Sequence, residues 1–172
     1  MEIYTIGHSN IPLSEFLILL EKHKIESVVD VRSRPVSKYV PHYNKGMIEY
    51  YLKTAGVGYH YIADEVVGNR LGGFPKDAEC YEDDVISYEA VRARKWFQEG
   101  LNELMEYAKE RKVALLCAEE NPYRCHRHNL LTQSLLARGV TVSHIRGDGS
   151  LEKAVRESRQ ANLPSFFYVG QK

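Results

Sequence analysis

Residues 113–139 read VALLCAEENPYRCHRHNLLTQSLLARG, and this stretch decides which fold the chain can adopt. Its first five residues are apolar and end at Cys117, a pattern typical of a short strand buried on both faces. Asn121-Pro122 then predicts a loop, and apolar residues at helical spacing from 130 to 137 predict a helix that ends at Gly139. A strand, a loop and a helix in this order indicate a parallel α/β sheet.

The same alternation runs along the rest of the chain. Further strands are predicted at residues 2–6, 27–31, 59–62 and 140–145, and further helices at 13–24, 47–55, 88–111 (with an interruption at Gly100) and from Leu151 onward. We therefore expect a single three-layer α/β domain over residues 1–172, with a mostly parallel sheet flanked by helices. Residues 64–87 combine glycines and acidic residues with little periodicity, which predicts an excursion loop.

Composition limits the class of protein. The chain has 172 residues, 44% of them hydrophobic, so it can bury a core, and disorder and coiled coil are excluded. No apolar run approaches the roughly 20 residues of a membrane helix, and no export signal is visible, so we expect no membrane contact. Three cysteines, an odd number, indicate reduced thiols and a cytoplasmic protein.

Charge is unevenly distributed although 23 basic residues balance 23 acidic ones. Residues 121–146 contain four arginines and three histidines without any carboxylate, and residues 27–48 contain four basic residues against the single acid Asp30. The neutral total argues against strong nonspecific nucleic-acid binding. The two basic segments are instead candidates to share one site for a small anion.

Polar residues follow three of the predicted strands. His8 and Ser9 follow the first, Arg32 follows the second, and the segment 117–127 follows the central one. In open parallel sheets ligands bind beyond the carboxyl ends of the strands. The predicted crevice is therefore built from eight residues: His8, Ser9, Arg32, Cys117, Glu119, Cys125, His126 and Arg127.

Three motifs carry a resemblance to a known family. They are TIGHSN at residues 5–10, VDVR at 29–32 with Pro35, and LCAE at 116–119 with CHR at 125–127. In combination they resemble the signatures of the family called domain of unknown function 488, over nearly the whole chain. This resemblance implies an α/β fold and a shared site, but it names no reaction.

A weaker likeness connects residues 29–32 and 115–117 to rhodanese and related phosphatases. In those proteins a strand ending in Asp-Val-Arg precedes a strand whose nucleophilic cysteine opens an anion-binding loop. Here Glu119, Glu120 and Pro122 stand where that loop has small residues, and two carboxylates would repel an anion. No catalytic role is carried over from this likeness.

Cys125 is the thiol that we expect to be reactive. It precedes a predicted helix, and Arg124, His126 and Arg127 surround it with positive charge, which lowers a thiol pKa and stabilises a thiolate nucleophile. The alternative is a small residue at the helix entry, whose basic neighbours bind structural carboxylates. Cys117 closes an apolar strand, and we expect it to be packing in the core.

The remaining candidates each have a structural alternative. His8 and Ser9 lie in a loop after a strand, where a histidine is a candidate to bind phosphate or to exchange protons. The structural alternative is that it caps the next helix. Arg32 either pairs with Asp30 or joins Arg127 in clamping an anion, and we expect only one of Arg32 and Arg34 to face the crevice. Of the adjacent carboxylates, we expect Glu119 to point inward as a general base.

No metal and no cofactor is expected. Cys117, Cys125, His126 and His128 have spacing that permits a metal site, but a helix would turn the two histidines to different faces. The chain has neither a Gly-x-Gly-x-x-Gly fingerprint nor a Walker lysine loop.

The sequence favours an enzyme that acts on a phosphorylated or nucleotide-like substrate, with the Cys125 thiolate as candidate nucleophile and Glu119 and His126 as catalytic partners. The alternative is a nucleic-acid-binding module without catalysis. It would use the same crevice together with residues 38–45, where Tyr39, His42 and Tyr43 alternate with lysines. The oligomeric state is not determined by these patterns.

Overall fold

A six-stranded sheet forms the centre of the structure, a computed structural model that describes residues 1–157. In chain order the elements are β1 (Glu2–Gly7), α1 (Leu13–Lys22), β2 (Ser27–Asp30), α2 (Lys45–Thr54), β3 (Gly58–His60), β4 (Ala63–Asp64), β5 (Gly68–Asn69), β6 (Tyr81–Glu82), β7 (Val85–Ile86), α3 (Tyr88–Ala93), α4 (Lys95–Tyr107), β8 (Val113–Cys117), α5 (Gln133–Ala137), β9 (Thr141–Ile145) and β10 (Leu151–Lys153). The sheet order is β10-β9-β1-β8-β2-β3, and only the pairing of β10 with β9 is antiparallel.

Strand β8 lies in the middle of this sheet, and its side chains reach both cores. Val113, Leu115 and Cys117 pack on one face, while Ala114 and Leu116 pack on the other, as the pleat of a strand requires. The first face is covered by buried residues of α3, α4 and α5, and the second by buried residues of α1 and α2. The predicted α/β class and its mostly parallel sheet between two helical layers are therefore confirmed.

The register brings three strand ends to one edge of the sheet. Gly7 at the end of β1 pairs with Cys117 at the end of β8, and Asp30 at the end of β2 pairs with Leu116. All three strands are parallel, so the loops that follow them leave the sheet side by side. This edge is where the sequence places its candidate site.

Two helical predictions are wrong. The helix predicted over residues 88–111 breaks at Arg94, which is extended between α3 and α4, and not at Gly100. Gly100 lies inside α4, where a Cβ would come within 3.1 Å of the Arg70 side chain, so the glycine permits close packing. The helix predicted from Leu151 is strand β10, because a turn with Gly149 at φ +79° returns the chain to β9. The later part of that prediction lies outside the described residues.

The segment 64–87 contains two short hairpins, β4–β5 and β6–β7, and a 3-10 turn at Ala78–Cys80. The Asn69 side-chain amide donates to the backbone carbonyls of Asp30 at 2.8 Å and Arg32 at 3.1 Å. Leu71 and Cys80 are fully buried in the core beside α4. The segment is thus anchored to the end of β2.

We expect Gly7→Ala to destabilise the protein by about 3 kcal/mol or more, because a Cβ there would lie 1.7 Å from the Glu119 carbonyl oxygen. Gly46→Ala is the matched control. Gly46 lies in α2 with nothing within 4 Å of its added Cβ, so alanine should stabilise the helix by up to about 1 kcal/mol. Urea unfolding of both variants tests this, and equal stabilities would contradict the close approach at Gly7.

Candidate functional site

An open basin lies at the carboxyl edge of the sheet, with a volume of about 260 Å³. Its polar lining comes from the three loops that follow β1, β2 and β8: His8, Ser9, Arg32, Arg34, Ser37 and Glu119. The expectation that only one of the two arginines faces the crevice is wrong, since both line it. The reason is that β2 ends at Asp30, so strand alternation does not apply beyond it.

A buried ion pair fixes the floor of the basin. Arg32 donates from Nε to Asp30 Oδ1 at 2.9 Å and from Nη2 to Oδ2 at 2.7 Å, and Tyr59 donates its hydroxyl to the same carboxylate at 2.8 Å. Asp30 is fully buried, so these donors replace the water it has lost. The ion pair considered from the sequence is present, and it leaves Arg32 Nη1 directed at His8.

His8 is a neutral acceptor. Burial lowers its pKa to about 4, and its ring stacks on Tyr43 at 4.1 Å between centroids. The Ser9 carbonyl can only accept, so His8 Nδ1 carries the proton that bonds it at 2.8 Å, and Nε2 accepts from Arg32 Nη1 at 3.1 Å. His8 therefore orients Arg32 and adds no positive charge to the basin.

Ser9 is held in an unusual backbone conformation. Its φ is +43°, in the left-handed region, and its N–H donates to the Ala118 carbonyl at 2.6 Å. Its side chain is exposed and lines the basin. The loop after β1 is thereby fastened to the loop after β8.

Cys117 and Cys125 form a thiol pair just below the basin. Their sulfur atoms are 3.0 Å apart, and His126 Nδ1 is 3.7 Å from each. His126 Nε2 donates to the Val31 carbonyl at 2.9 Å, which turns Nδ1 toward the two sulfurs. The thiol pair and its histidine are buried, and neither sulfur lines the basin itself.

The two thiols have opposite pKa shifts. The hydrogen bond from Cys125, with His126 and Arg127 nearby, holds the pKa of Cys117 well below its ordinary value. Donating its proton to Cys117, together with burial, raises the pKa of Cys125. The pair thus favours a thiolate on Cys117, whereas the sequence pointed to Cys125. The difference arises because Cys125 donates its proton to Cys117. The basic residues next to Cys125 in the sequence do not reveal this contact.

Arg127 is fully buried beside this pair. Its Nη2 donates to the Glu120 carbonyl, but its Nε and Nη1 have no hydrogen-bond partner within residues 1–157. Nη1 lies against Gly7, where a Cβ would approach it to 2.8 Å. A buried cation with unpaired donors is costly unless an anion lies close to it. The Cys117 thiolate, a bound anion, or both would supply that charge.

The two adjacent glutamates have different surroundings. Glu120 accepts from Arg146 Nε and Nη2 at 3.0 Å each and from the Gly147 N–H at 3.1 Å, which lowers its pKa. Glu119 is exposed and lines the basin. Only Glu119 is therefore placed to exchange a proton with a bound ligand.

Cys117, Cys125 and His126 are the residues whose donor atoms lie close enough to hold a metal ion. His128, the fourth residue considered from the sequence, points elsewhere. It contacts His144 at 3.0 Å and Glu157 at 3.0 Å, and His144 in turn contacts Thr5 at 2.7 Å. Burial lowers the pKa of His144 to about 3, so His144 is neutral, and its contacts with Thr5 and His128 tie β1 to the π-helix Arg127–Thr132.

Gly73 is a site residue that the sequence reasoning missed. A Cβ there would lie 2.7 Å from His126 Cγ, so the 64–87 segment packs directly on the catalytic candidate. The two consecutive glycines, 72 and 73, are the signal in the sequence from which a close backbone approach could have been predicted. Tyr43, considered for nucleobase stacking, is fully buried and packs in the core, while Tyr39 is exposed.

The comparisons with known proteins identify a family. Residues 12–133 match the model of the family described as Domain of unknown function DUF488. The match covers more than half of the chain, and the chain belongs to this family. Comparisons with curated proteins and with solved structures find no match, and none of them supports the likeness to rhodanese. Within residues 1–157, no helix has the length and apolar character needed to cross a bilayer.

We expect the protein to lose stability between pH 7 and pH 5. His8 and His144 have folded pKa values of about 4 and about 3, whereas in the unfolded chain they titrate near about 6.5. The unfolded state therefore binds more protons in this range, and the free energy of unfolding falls by on the order of 2 kcal/mol for each histidine. Urea unfolding at both pH values measures the difference. His144→Gln should remove about half of it, and equal stability of the wild type at both pH values would contradict the neutral, buried histidines.

Proposed function

We propose that this protein is an enzyme that binds a small phosphorylated or nucleotide-like anion in the basin and attacks it with a thiolate of the Cys117–Cys125 pair. The observation that carries the proposal is the fully buried Arg127 side chain, whose Nε and Nη1 have no partner among the described residues and whose positive charge favours the thiolate form of both cysteines. A fixed buried cation stabilises both a thiolate and a negatively charged substrate group.

The basin supplies the binding part of the proposal. Arg34 is exposed at its rim, Arg32 is held rigidly by Asp30, and the hydroxyls of Ser9 and Ser37 lie in the same lining. Arginine forks and hydroxyls are the usual partners of phosphate oxygens. Because His8 is neutral, the charge of the basin comes from its arginines, with Glu119 as the single carboxylate of the lining.

The thiol pair supplies the chemical part. Cys117 carries the thiolate, and Cys125, which donates to it, keeps the proton. Cys117 and Cys125 are 5% and 3% exposed, so the proposal requires the reacting group of the substrate to reach them from the basin, whose lining includes the next residues Ala118 and Glu119. His126 Nδ1 faces both sulfurs at 3.7 Å, where it can exchange a proton with them, and Glu119 can exchange one at the rim of the basin.

Nucleic-acid binding without catalysis is the second candidate function, because an exposed lysine–tyrosine pair lies beside the basin. Tyr39 is 82% exposed, and Lys38 Nζ lies 5.1 Å from its ring centre, next to Ser37 and Val40 of the basin lining. Steeply salt-dependent oligonucleotide binding that Tyr39→Ala weakens, without turnover, would favour this candidate over the enzyme.

The pH dependence of iodoacetamide alkylation tests the thiolate, read at each cysteine by peptide mass spectrometry on native protein. We expect Cys117 to react with a midpoint below the free-thiol value of about 8.5, and inorganic phosphate to slow that reaction. Cys80 is the internal control, since burial raises its pKa to about 11 and it lies away from the basin. If Cys117 reacts as an ordinary thiol and phosphate has no effect, the proposal fails.

Arg34→Gln tests the basin. Removing one charge-assisted contact should weaken phosphate protection of Cys117 by about tenfold, while stability is unchanged because Arg34 is exposed. Lys53→Gln, an equal charge change on the exposed surface of α2 near its carboxyl end, is the matched control. Equal phosphate affinities in the two variants would remove the basin as the anion site.

A further inference from the structure

We propose that Cys117 and Cys125 form a redox-active dithiol that reduces a small hydroperoxide and closes into a disulfide. This activity goes beyond the proposed function, since it uses the same Cys117 thiolate but needs no anionic substrate in the basin. It rests on the placement of the two sulfurs, His126 and Arg127.

The sulfur contact is close to what a disulfide requires. The sulfurs are 3.0 Å apart in the thiol form, and a disulfide bond is about 2.05 Å long, so closure needs an approach of about 1 Å. Cys117 ends strand β8 and Cys125 directly precedes the helical turn that begins at His126, so both backbones are held in place. The two thiols are thus positioned to react with each other once one of them is oxidised.

The burial of Cys117 and Cys125 limits the size of the oxidant that can reach them. Because Cys117 and Cys125 are only 5% and 3% exposed, a disulfide on the surface of another protein cannot approach a sulfur in line. Gly73 closes the site further by packing on the His126 ring. A hydroperoxide such as hydrogen peroxide is little larger than water and passes where a bulky disulfide does not.

The chemistry balances with groups that are present. The Cys117 thiolate attacks one peroxide oxygen, the O–O bond breaks, and the departing hydroxide takes a proton from solvent and leaves as water, so that a sulfenic acid remains on Cys117. Cys125 then attacks the Cys117 sulfur, its proton passes by way of His126 Nδ1 to the sulfenic oxygen, and the S–O bond breaks with release of water. The two sulfurs together lose two electrons, which reduce the peroxide. A dithiol reductant must later return them.

Arg127 and His126 have separate parts in these steps. The unpartnered Nε and Nη1 of Arg127 are donors that can stabilise the negative charge on the departing oxygen. His126 Nδ1 is 3.7 Å from Cys125, and its Nε2 bond to Val31 keeps the acceptor nitrogen turned to the sulfurs.

The same cluster is a weaker fit to a metal ion. Cys117, Cys125 and His126 supply three donors, and the structure describes no fourth protein ligand within their reach over residues 1–157. The buried cation of Arg127 is near enough to lower the pKa of Cys117, and it would repel a second cation at the same place. Metal binding is therefore an outcome that the experiment must be able to detect.

The experiment treats the reduced, chelator-washed full-length protein with one equivalent of hydrogen peroxide and follows intact mass and peptides. We expect the loss of two hydrogen masses, a peptide link between Cys117 and Cys125, and a rate at least about tenfold above that of Cys80. Cys125→Ser should stop at a sulfenic acid on Cys117 that dimedone traps. Cys80→Ser, outside the cluster, should close the disulfide at the wild-type rate.

Preferential oxidation of Cys80, or no link between Cys117 and Cys125, would overturn the inference. It would also be overturned if the wild-type protein were purified with a stoichiometric metal ion that protects both thiols until a chelator removes it. The wild-type measurement stands even if a cysteine variant fails to fold. If the disulfide forms but phosphate does not protect Cys117 from alkylation, the proposed function fails and this inference stands. If phosphate protects Cys117 from alkylation but no disulfide forms, this inference fails and the proposed function stands.

Discussion

The pairing of β8 between β1 and β2 is the constraint on which the site depends. β8 is buried on both faces, and its register aligns Cys117 with Gly7 and Leu116 with Asp30. The loops after three strands are therefore forced into contact at one edge. The contact is close enough that only a glycine fits at position 7, against the Glu119 carbonyl and Arg127. Any side chain there would push apart the strand ends that build the basin.

Buried charge gives this edge its chemical character. Asp30 holds Arg32 with two side-chain hydrogen bonds, and Arg146 holds Glu120 in the same way, so each of these charges has a fixed partner of opposite sign. Among the described residues Arg127 has no hydrogen-bonded carboxylate, and the charges that favour its protonated form are those of Cys125 and Cys117, ahead of Glu120. The difference between a paired and an unpaired buried arginine separates the structural part of the cluster from its reactive part.

Much of the fold could be predicted because the local spacing of apolar residues indicates which side chains are buried. The apolar run ending at Cys117 and the stripes of α1 and α2 led to the right elements, and strand alternation led to the right class. The errors came where long-range contacts decide. Gly100 was interpreted as a helix break although it lies where α4 packs against Arg70, and residues 151–153 were interpreted as helix although they pair with β9.

By itself the sequence determined that the chain is an α/β protein of the DUF488 family and that His8, Arg32, Cys117, Cys125 and Arg127 follow strands ending at one sheet edge. The contact between the two sulfurs that lowers the pKa of Cys117, the burial that lowers the pKa of His8, and the contacts that turn His128 away from the sulfurs follow from packing. The physical reason is that a pKa depends on burial and on neighbours that are distant in sequence. Residue types and spacing specify which groups are available, and packing sets their charge.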